Sequence, residues 1–262
     1  MTTQTVNVIC IKWGSGYTHV DVNRLFKAIK ANTSSKYSLN FICFTENSAE
    51  LLPGITAKPL PKMNLPQDKP CRYAYQKEAG LCEDNLGDLH GERVLFFDLD
   101  TLIVGSMDGF FELPKENEFW IIKDWDHGER VGGAAVYSWV VGTLGYVKDY
   151  FEKHSEEVYR KYHTASQEYL SDKVVEKHGK MHFWPASWCV SFKRHCVPKW
   201  YLRRFVTPCI PSNEAKTIIF HGCPKLQDAI DGVWDSQRGV PLLKRIYKTV
   251  LPSPWIEKYW NL

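Results

Sequence analysis

The chain has 262 residues, 33 of them basic and 30 acidic, for a formal net charge of +3. A single body of that length buries roughly 75% of its unfolded surface, so no disulfide staples are required, and the mild charge gives no argument for nucleic acid. No run reaches the ~18 apolar residues of a membrane span, and the opening MTTQTVNVIC has no basic segment ahead of an apolar one. A soluble, cytoplasmic protein without a transmembrane segment is expected.

VNVICI is short and almost continuously apolar, the pattern of a strand covered on both faces. After the loop KWGSGY, Val22, Leu25, Phe26 and Ile29 fall at i, i+3, i+4 and i+7, one face of a helix. LNFICFT predicts the next buried strand. Pro53, Pro59, Pro61, Pro66 and Pro70 then mark a loop. A helix is predicted from Arg72 to Leu86, followed by the strand RVLFF. This strand–helix–strand rhythm implies a parallel, doubly wound α/β sheet, in which ligands collect at the carboxyl ends of the strands. Asp98 falls at such an end.

Beyond Gly105 the pattern is mixed. FWIIK and GGAAVYSWVV predict strands. Leu144, Val147, Phe151, Val158 and Tyr162 share one side of a helix predicted from Thr143 to His163. A shorter helix is predicted from Gln167 to Lys177, stopped by Gly179, and TIIF predicts a late strand ahead of His221. No linker divides the chain, so a single domain over 1–262 is expected. The eight cysteines form no Cys-x-x-Cys pair, and Cys10 and Cys43 sit inside apolar runs, the pattern of buried free thiols.

The chemistry concentrates in FFDLDT. In an extended segment, residues i and i+2 point to one side about 7 Å apart, so Asp98 and Asp100 converge on one divalent cation while Leu99 packs the other way. Oxygen ligands favour Mg²⁺ or Mn²⁺, which offsets charge developing on a leaving diphosphate. Two other readings stand beside this one. The pair would also serve as solvated aspartates closing a strand. Alternatively, FFDLDT resembles the haloacid-dehalogenase phosphatase motif, with Asp98 as nucleophile. That motif has a glycine before the threonine, whereas here Thr101 follows Asp100 directly. Later, IIFHGCPK places His221 after a strand, Gly222 in a tight turn and Lys225 four residues beyond His221. An imidazole suits Mn²⁺ as a third ligand, and a lysine suits a diphosphate as a point charge.

With these residues in order, the chain resembles GT-A-fold glycosyltransferases of the broad glycogenin-like group and its microbial and viral relatives. The similarity runs from CIKWGSGYTHVDVNRLFKAIKAN through FICFTENSAELLPGITAKPLP, YQKEAGL, VLFFDLDTLIVGSMDGFF, SQEYLSD and WPASWCVSFKRH to IIFHGCPK. It implies a Rossmann-like, mostly parallel sheet flanked by helices, with 1–105 as the nucleotide-binding half and 106–262 as the acceptor-side half. It implies that Asp98, Asp100 and His221 hold Mn²⁺ or Mg²⁺. Lys77 and Lys225 would bind the donor diphosphate. Lys12, Trp13, Tyr17 and Thr45 would hold base and ribose, with Leu99 and Gly222 completing the nucleotide side. The donor would be a nucleotide-diphosphate sugar, with uridine diphosphate expected, and the acceptor a glycan or other hydroxyl. A catalytically inactive sugar-nucleotide-binding relative is the non-enzyme alternative.

Relatives often read Asn-Ser ahead of the strand GGAAVYSW and Asp-Gln where this chain has Ser166-Gln167. Gly132, Gly133 and Ser166 therefore leave the sugar and the stereochemistry open. On the acceptor side, Glu168 is a candidate general base, equally explained as an acid at a helix N-terminus. Gln167 and Asp124 are further catalytic candidates, Asp124 with Asp126 also reading as a solvated loop. KRHCVPKWYLRR is a solvated basic face, or a surface for an anionic acceptor or a membrane. The tail aromatics Trp255, Tyr259 and Trp260 are expected to pack as a C-terminal clasp.

Overall fold

The structure is a computed structural model that describes residues 3–65 and 75–260. Pro66, Pro70, Cys71 and the start of the helix predicted from Arg72 lie outside the described residues. In chain order the elements are β1 (Gln4–Lys12), α1 (His19–Ala31), β2 (Tyr37–Thr45), β3 (Ile55–Lys58), β4 (Arg93–Phe97), β5 (Thr101–Ile103) and α2 (Asp108–Glu112). There follow β6 (Trp120–Asp124), β7 (Gly128–Val140), α3 (Gly145–Tyr162), α4 (Ser166–His178), β8 (His182–Phe183), β9 (Cys189–Ser191), β10 (Thr217–Ile219), α5 (Leu226–Asp231) and α6 (Glu257–Trp260). The chain forms two compact units interleaved in sequence. The first takes 1–22, 35–99 and 108–184; the second takes 23–34, 100–107 and 185–262.

Among the described residues, the first unit holds a seven-stranded sheet in the order β3-β2-β1-β4-β7-β6-β8. Neighbouring strands run parallel except at β7, which is antiparallel to both β4 and β6. This is the α/β class and mostly parallel sheet expected from the apolar runs. Val6 to Ile11 of β1 and Phe41 to Thr45 of β2 are buried, as strands with both faces covered must be. Beneath β4 and β7 the rings of Phe96 and Tyr137 lie 4.8 Å apart and those of Tyr137 and Trp139 stack at 4.9 Å. Each such ring adds its own burial, about 1.5–3 kcal/mol for a Phe. Gly132 is needed where β7 pairs irregularly with β6: a Cβ built there would lie 2.5 Å from Ile121 Cδ1.

Among the described residues, the second unit contains a three-stranded sheet, β5-β10-β9, with β10 antiparallel to β5 and parallel to β9. Leu102, Phe192, Ile218, Phe220 and Ile256 form its core, with Phe192 and Phe220 stacked at 4.8 Å. The tail closes onto this core as expected. Trp255 Nε1 donates to the Pro208 carbonyl at 2.8 Å, and the Arg24 guanidinium lies 5.1 Å over the Trp260 ring.

Local chemistry explains the helix ends. Thr18 caps α1: its Oγ1 accepts from Val20 N–H at 3.2 Å, while the Thr18 N–H donates to Asp21 Oδ2 at 2.7 Å. Gly179 ends α4 in the left-handed region, at φ 76°. Two elements differ from those expected. Ile55–Lys58, inside the predicted proline loop, forms β3 against Phe41–Phe44 of β2. Between Tyr75 and Cys82 the chain makes helical turns that end in a 3-10 turn rather than a helix running to Leu86. Cys10, Cys43, Cys82, Cys189 and Cys196 are free and buried, and burial pushes Cys189 and Cys196 up to about 12. Among the described residues, no helix is long and apolar enough to cross a membrane.

Candidate active site

In the first unit, the parallel pairing of β1 with β2 and β4 brings three carboxyl ends to one edge. Lys12, the last residue of β1, is in register with Thr45, the last of β2. Ile9 pairs with Phe96, so β4 ends alongside them at Phe97 and Asp98. Trp13 is half-buried against the core, and the next loop is tied down by Gly14 N–H donating to Glu46 Oε2 at 3.1 Å. Tyr17 is exposed. Thr45 is buried and its hydroxyl closes its own turn, accepting from Asn47 N–H at 3.2 Å and donating to the Asn47 carbonyl at 3.1 Å.

Lys77 reaches this edge from the turns at 75–79. Its neighbours are anchored in the core: the Tyr75 ring stacks on Phe151 at 4.5 Å, and Gln76 Nε2 donates to the Pro61 carbonyl at 2.9 Å. Asp98 is held too, because its N–H extends the β4–β7 ladder by donating to Ala135 at 2.9 Å. Between these fixed points Lys77 Nζ donates to Asp98 Oδ1 and Oδ2 at 3.1 and 2.9 Å, and lies 3.2 Å from Glu78 Oε1. Burial works against the charged ammonium, but the Asp98 and Glu78 carboxylates outweigh it and hold the Lys77 pKa above its ordinary value. Leu99 is buried, as expected. Leu99 and Asp100 form a turn rather than extended chain, so strand alternation does not set where the two aspartates point.

The second unit gathers the later motif. Thr101 pairs with Ile219 across β5 and β10, and Ile219 pairs with Ser191 on β9. Asp100 just ahead of β5 and His221 just beyond β10 therefore come to one end of the small sheet. Lys225 Nζ lies 3.9 Å from Asp100 Oδ2, an ion pair at the limit of direct contact. Ser191 Oγ is 2.7 Å from His221 Nε2 and also accepts from Arg194 N–H at 3.2 Å. A single π-helical turn, Phe192–Cys196, follows Ser191 and returns His195 Nδ1 to accept from Ser191 N–H at 2.9 Å. Gly222 takes φ 70°, and a Cβ built there would lie 3.6 Å from Lys193 Nζ.

The acceptor-side candidates belong to the first unit. Asp124 Oδ1 accepts from the N–H groups of Asp126 and His127, both at 2.8 Å, and lies 3.0 Å from His127 Nδ1. Burial would raise its pKa, but these partners reverse the effect and hold the carboxyl below its ordinary range. Such a carboxylate stays ionised but is a weaker base. Gln167 Nε2 reaches Asp124 Oδ2 at 3.5 Å. Glu168 stands half-buried in the first turn of α4, and Ser166, in the same turn, is buried. Ser171 Oγ accepts from Gly132 N–H at 2.9 Å and donates to the Gln167 carbonyl at 2.7 Å, tying this end of α4 to β7.

Two carboxylates and an imidazole are the donor types that fit Mn²⁺ or Mg²⁺. In the tautomer that donates from His221 Nε2 to Ser191 Oγ, the ring lone pair falls on Nδ1, an arrangement a metal-bound histidine uses. Among the described residues, no three or more His, Cys, Asp or Glu side chains are gathered as a cation site. Two residues went unread in the sequence: Glu78 shares the Lys77 charge, and Ser191 contacts His221. Their only signal was position, Glu78 next to Lys77 and Ser191 in CVSFK. Lys193, expected only as part of the basic stretch KRHCVPKWYLRR, lies beside Gly222.

No family model matches the chain, and no curated protein matches its sequence. Among solved structures, the fold is similar to the apo structure of WbbM, a bifunctional glycosyltransferase. The TM-score is 0.54 at 11% identity, over 86% of this chain and 47% of that one. The chain thus spans about half the length of the protein it matches. The likeness is one of fold.

Proposed function

We propose that this chain is a glycosyltransferase moving a sugar from a nucleotide-diphosphate donor, a uridine diphosphate sugar by preference, to a hydroxyl acceptor such as a glycan. The observation that carries the reading is the Lys77–Asp98 pair at the carboxyl end of β4, within a fold similar to a solved glycosyltransferase. In a sheet of this kind that edge is where ligands collect.

Lys12, Trp13, Tyr17 and Thr45 would line the base and ribose, with Leu99 contributing backbone. Lys77 and Lys225 would meet diphosphate oxygens, each as a point charge that strengthens as the sugar bond breaks and negative charge builds. Asp98, Asp100 and His221 would hold Mn²⁺ or Mg²⁺. Bound there, the ion would supply Lewis-acid stabilisation of the departing diphosphate. Glu168 would take the acceptor proton, and Gln167 and Asp124 would orient the acceptor.

The purified chain is to be incubated with a panel of nucleotide-diphosphate sugars, with and without Mn²⁺, and nucleoside diphosphate release measured. Slow release from one donor is expected without acceptor, abolished by chelator and by Asp100→Asn while the melting temperature stays unchanged. Phosphomonoester turnover that vanishes in Asp98→Asn, with no nucleotide-sugar bound, would replace this reading with the phosphatase one. Donor binding with no release under any acceptor or ion would leave a binding relative.

A further inference from the structure

The basic, aromatic stretch of the second unit has a use that sugar transfer leaves unassigned. From Phe192 to Asn213, and again from Ser236 to Ile256, the chain contains no Asp or Glu. The first segment carries five Lys or Arg and the second four. The two segments are stitched together. Arg203 donates to the Pro198 carbonyl at 3.1 Å and to the Tyr247 carbonyl, and Arg204 Nη2 donates to the Arg245 carbonyl at 3.4 Å.

On the turns so joined, large apolar side chains stand in solvent. Phe205 is 79% exposed, Leu242 77% and Leu243 86%, with Trp200, Tyr201 and Ile246 more than half exposed. Lys199, Arg204, Lys244, Arg245 and Lys248 alternate with them in sequence. A merely solvated basic face has no use for such side chains, and clustered exposed apolar groups mark an interaction surface. Protein-binding faces are depleted in lysine at their apolar centre. Trp, Tyr, Phe and Leu mixed with Lys and Arg, with no carboxylate between them, instead match the headgroup layer of an anionic bilayer.

We propose that this face docks the second unit peripherally on an anionic membrane surface. Phe205, Leu242 and Leu243 enter the headgroup boundary, and Lys199, Arg204, Lys244, Arg245 and Lys248 meet lipid phosphates and carboxylates. No spanning segment is involved. The inference rests on this surface alone and is independent of the transferase reading.

The test is sedimentation of the full chain with vesicles of phosphatidylcholine alone or mixed with phosphatidylserine, across a salt series. The mixed vesicles should carry the chain down, more weakly as salt rises, and neutral vesicles far less. Lys244→Gln with Arg245→Gln should weaken binding about fivefold per charge removed. Leu242→Ser with Leu243→Ser should lose at least about tenfold with the melting temperature unchanged, since both side chains are exposed in the free chain. Absence of sedimentation with anionic vesicles at low salt would overturn the proposal, as would equal binding to both vesicle types. Self-association that Leu243→Ser abolishes, with no vesicle binding, would overturn it too and assign the face to a second copy of the chain.

Discussion

Lys77 Nζ lies within 3.1 Å of both carboxylate oxygens of Asp98, although 21 residues separate the two in sequence. Both side chains are largely buried, and Glu78 joins the pair at 3.2 Å. Lys77→Met keeps the side-chain length but strands buried negative charge, so it should cost about 3 kcal/mol of stability in denaturant unfolding. Adding Asp98→Asn should restore part of that loss. Strict additivity of the two changes would show that the pair is not coupled.

Lys225 is the cleaner probe of diphosphate binding, because its side chain is about half exposed and its Asp100 partner is at 3.9 Å. Lys225→Ala should leave the melting temperature within a degree or so of wild type. Affinity for the cognate nucleoside diphosphate should fall about tenfold, as for loss of a charge-assisted hydrogen bond, with the nucleoside itself unaffected. Equal weakening of both ligands would move Lys225 to the base or ribose.

His195 predicts how unit stability responds to acid. Burial, reinforced by the neighbouring Arg194 guanidinium, holds its pKa below the ordinary 6.5. The unfolded chain therefore binds a proton that the folded chain resists, and stability rises with pH across that window. Its contribution is complete above about pH 6.5 and declines as pH falls below the unfolded value. His195→Asn keeps an acceptor for Ser191 N–H but does not titrate, so it should flatten this part of the melting-temperature profile. An unchanged profile would remove His195 as the cause.

Where β7 pairs with β6, Gly132→Ala should destabilise by about 1–3 kcal/mol, the usual cost of forcing a methyl into a filled core. The clash is with the Ile121 side chain, whose Cδ1, Cγ2 and Cγ1 would all lie within 3 Å of the new carbon. Combined with Ile121→Ala, the same change should cost less than the two single losses together. Equal costs would place the strain in the backbone instead.

The strands β1, β2 and β4 were legible as near-continuous apolar runs, α1 and α3 by apolar residues at helical spacing, and α4 by its stop at Gly179. β3 was not. Its four residues ITAK carry no pattern, lie between Pro53 and Pro59, and become a strand only by pairing with Phe41–Phe44. β5 and β9, three residues each, offer too little sequence for a period to show. Asp98, Asp100, His221 and Lys225 stood out by type and by their places at strand ends. What each one touches did not. The Ser191–His221 contact joins residues 30 apart through the register of β9 and β10, and the Asp100–Lys225 pair depends on β5 running antiparallel to β10. Asp124 stood out as a carboxylate in KDWDHGE, but its partners, the backbone N–H groups of Asp126 and His127, carry no side-chain signature.

The hydroxyl of Ser171 joins Gly132 of β7 to Gln167 of α4, 39 residues away on one side and one helical turn on the other. For anyone building chimeras, this makes the stretch 132–171 a cassette to be exchanged whole. A donor sequence that brings an apolar residue to 171 while the host keeps Gly132 leaves a buried N–H without an acceptor, at about 1–3 kcal/mol. A crossover placed after 171 carries both partners together, so grafts of this stretch should tolerate joints beyond Ser171 far better than joints inside α3.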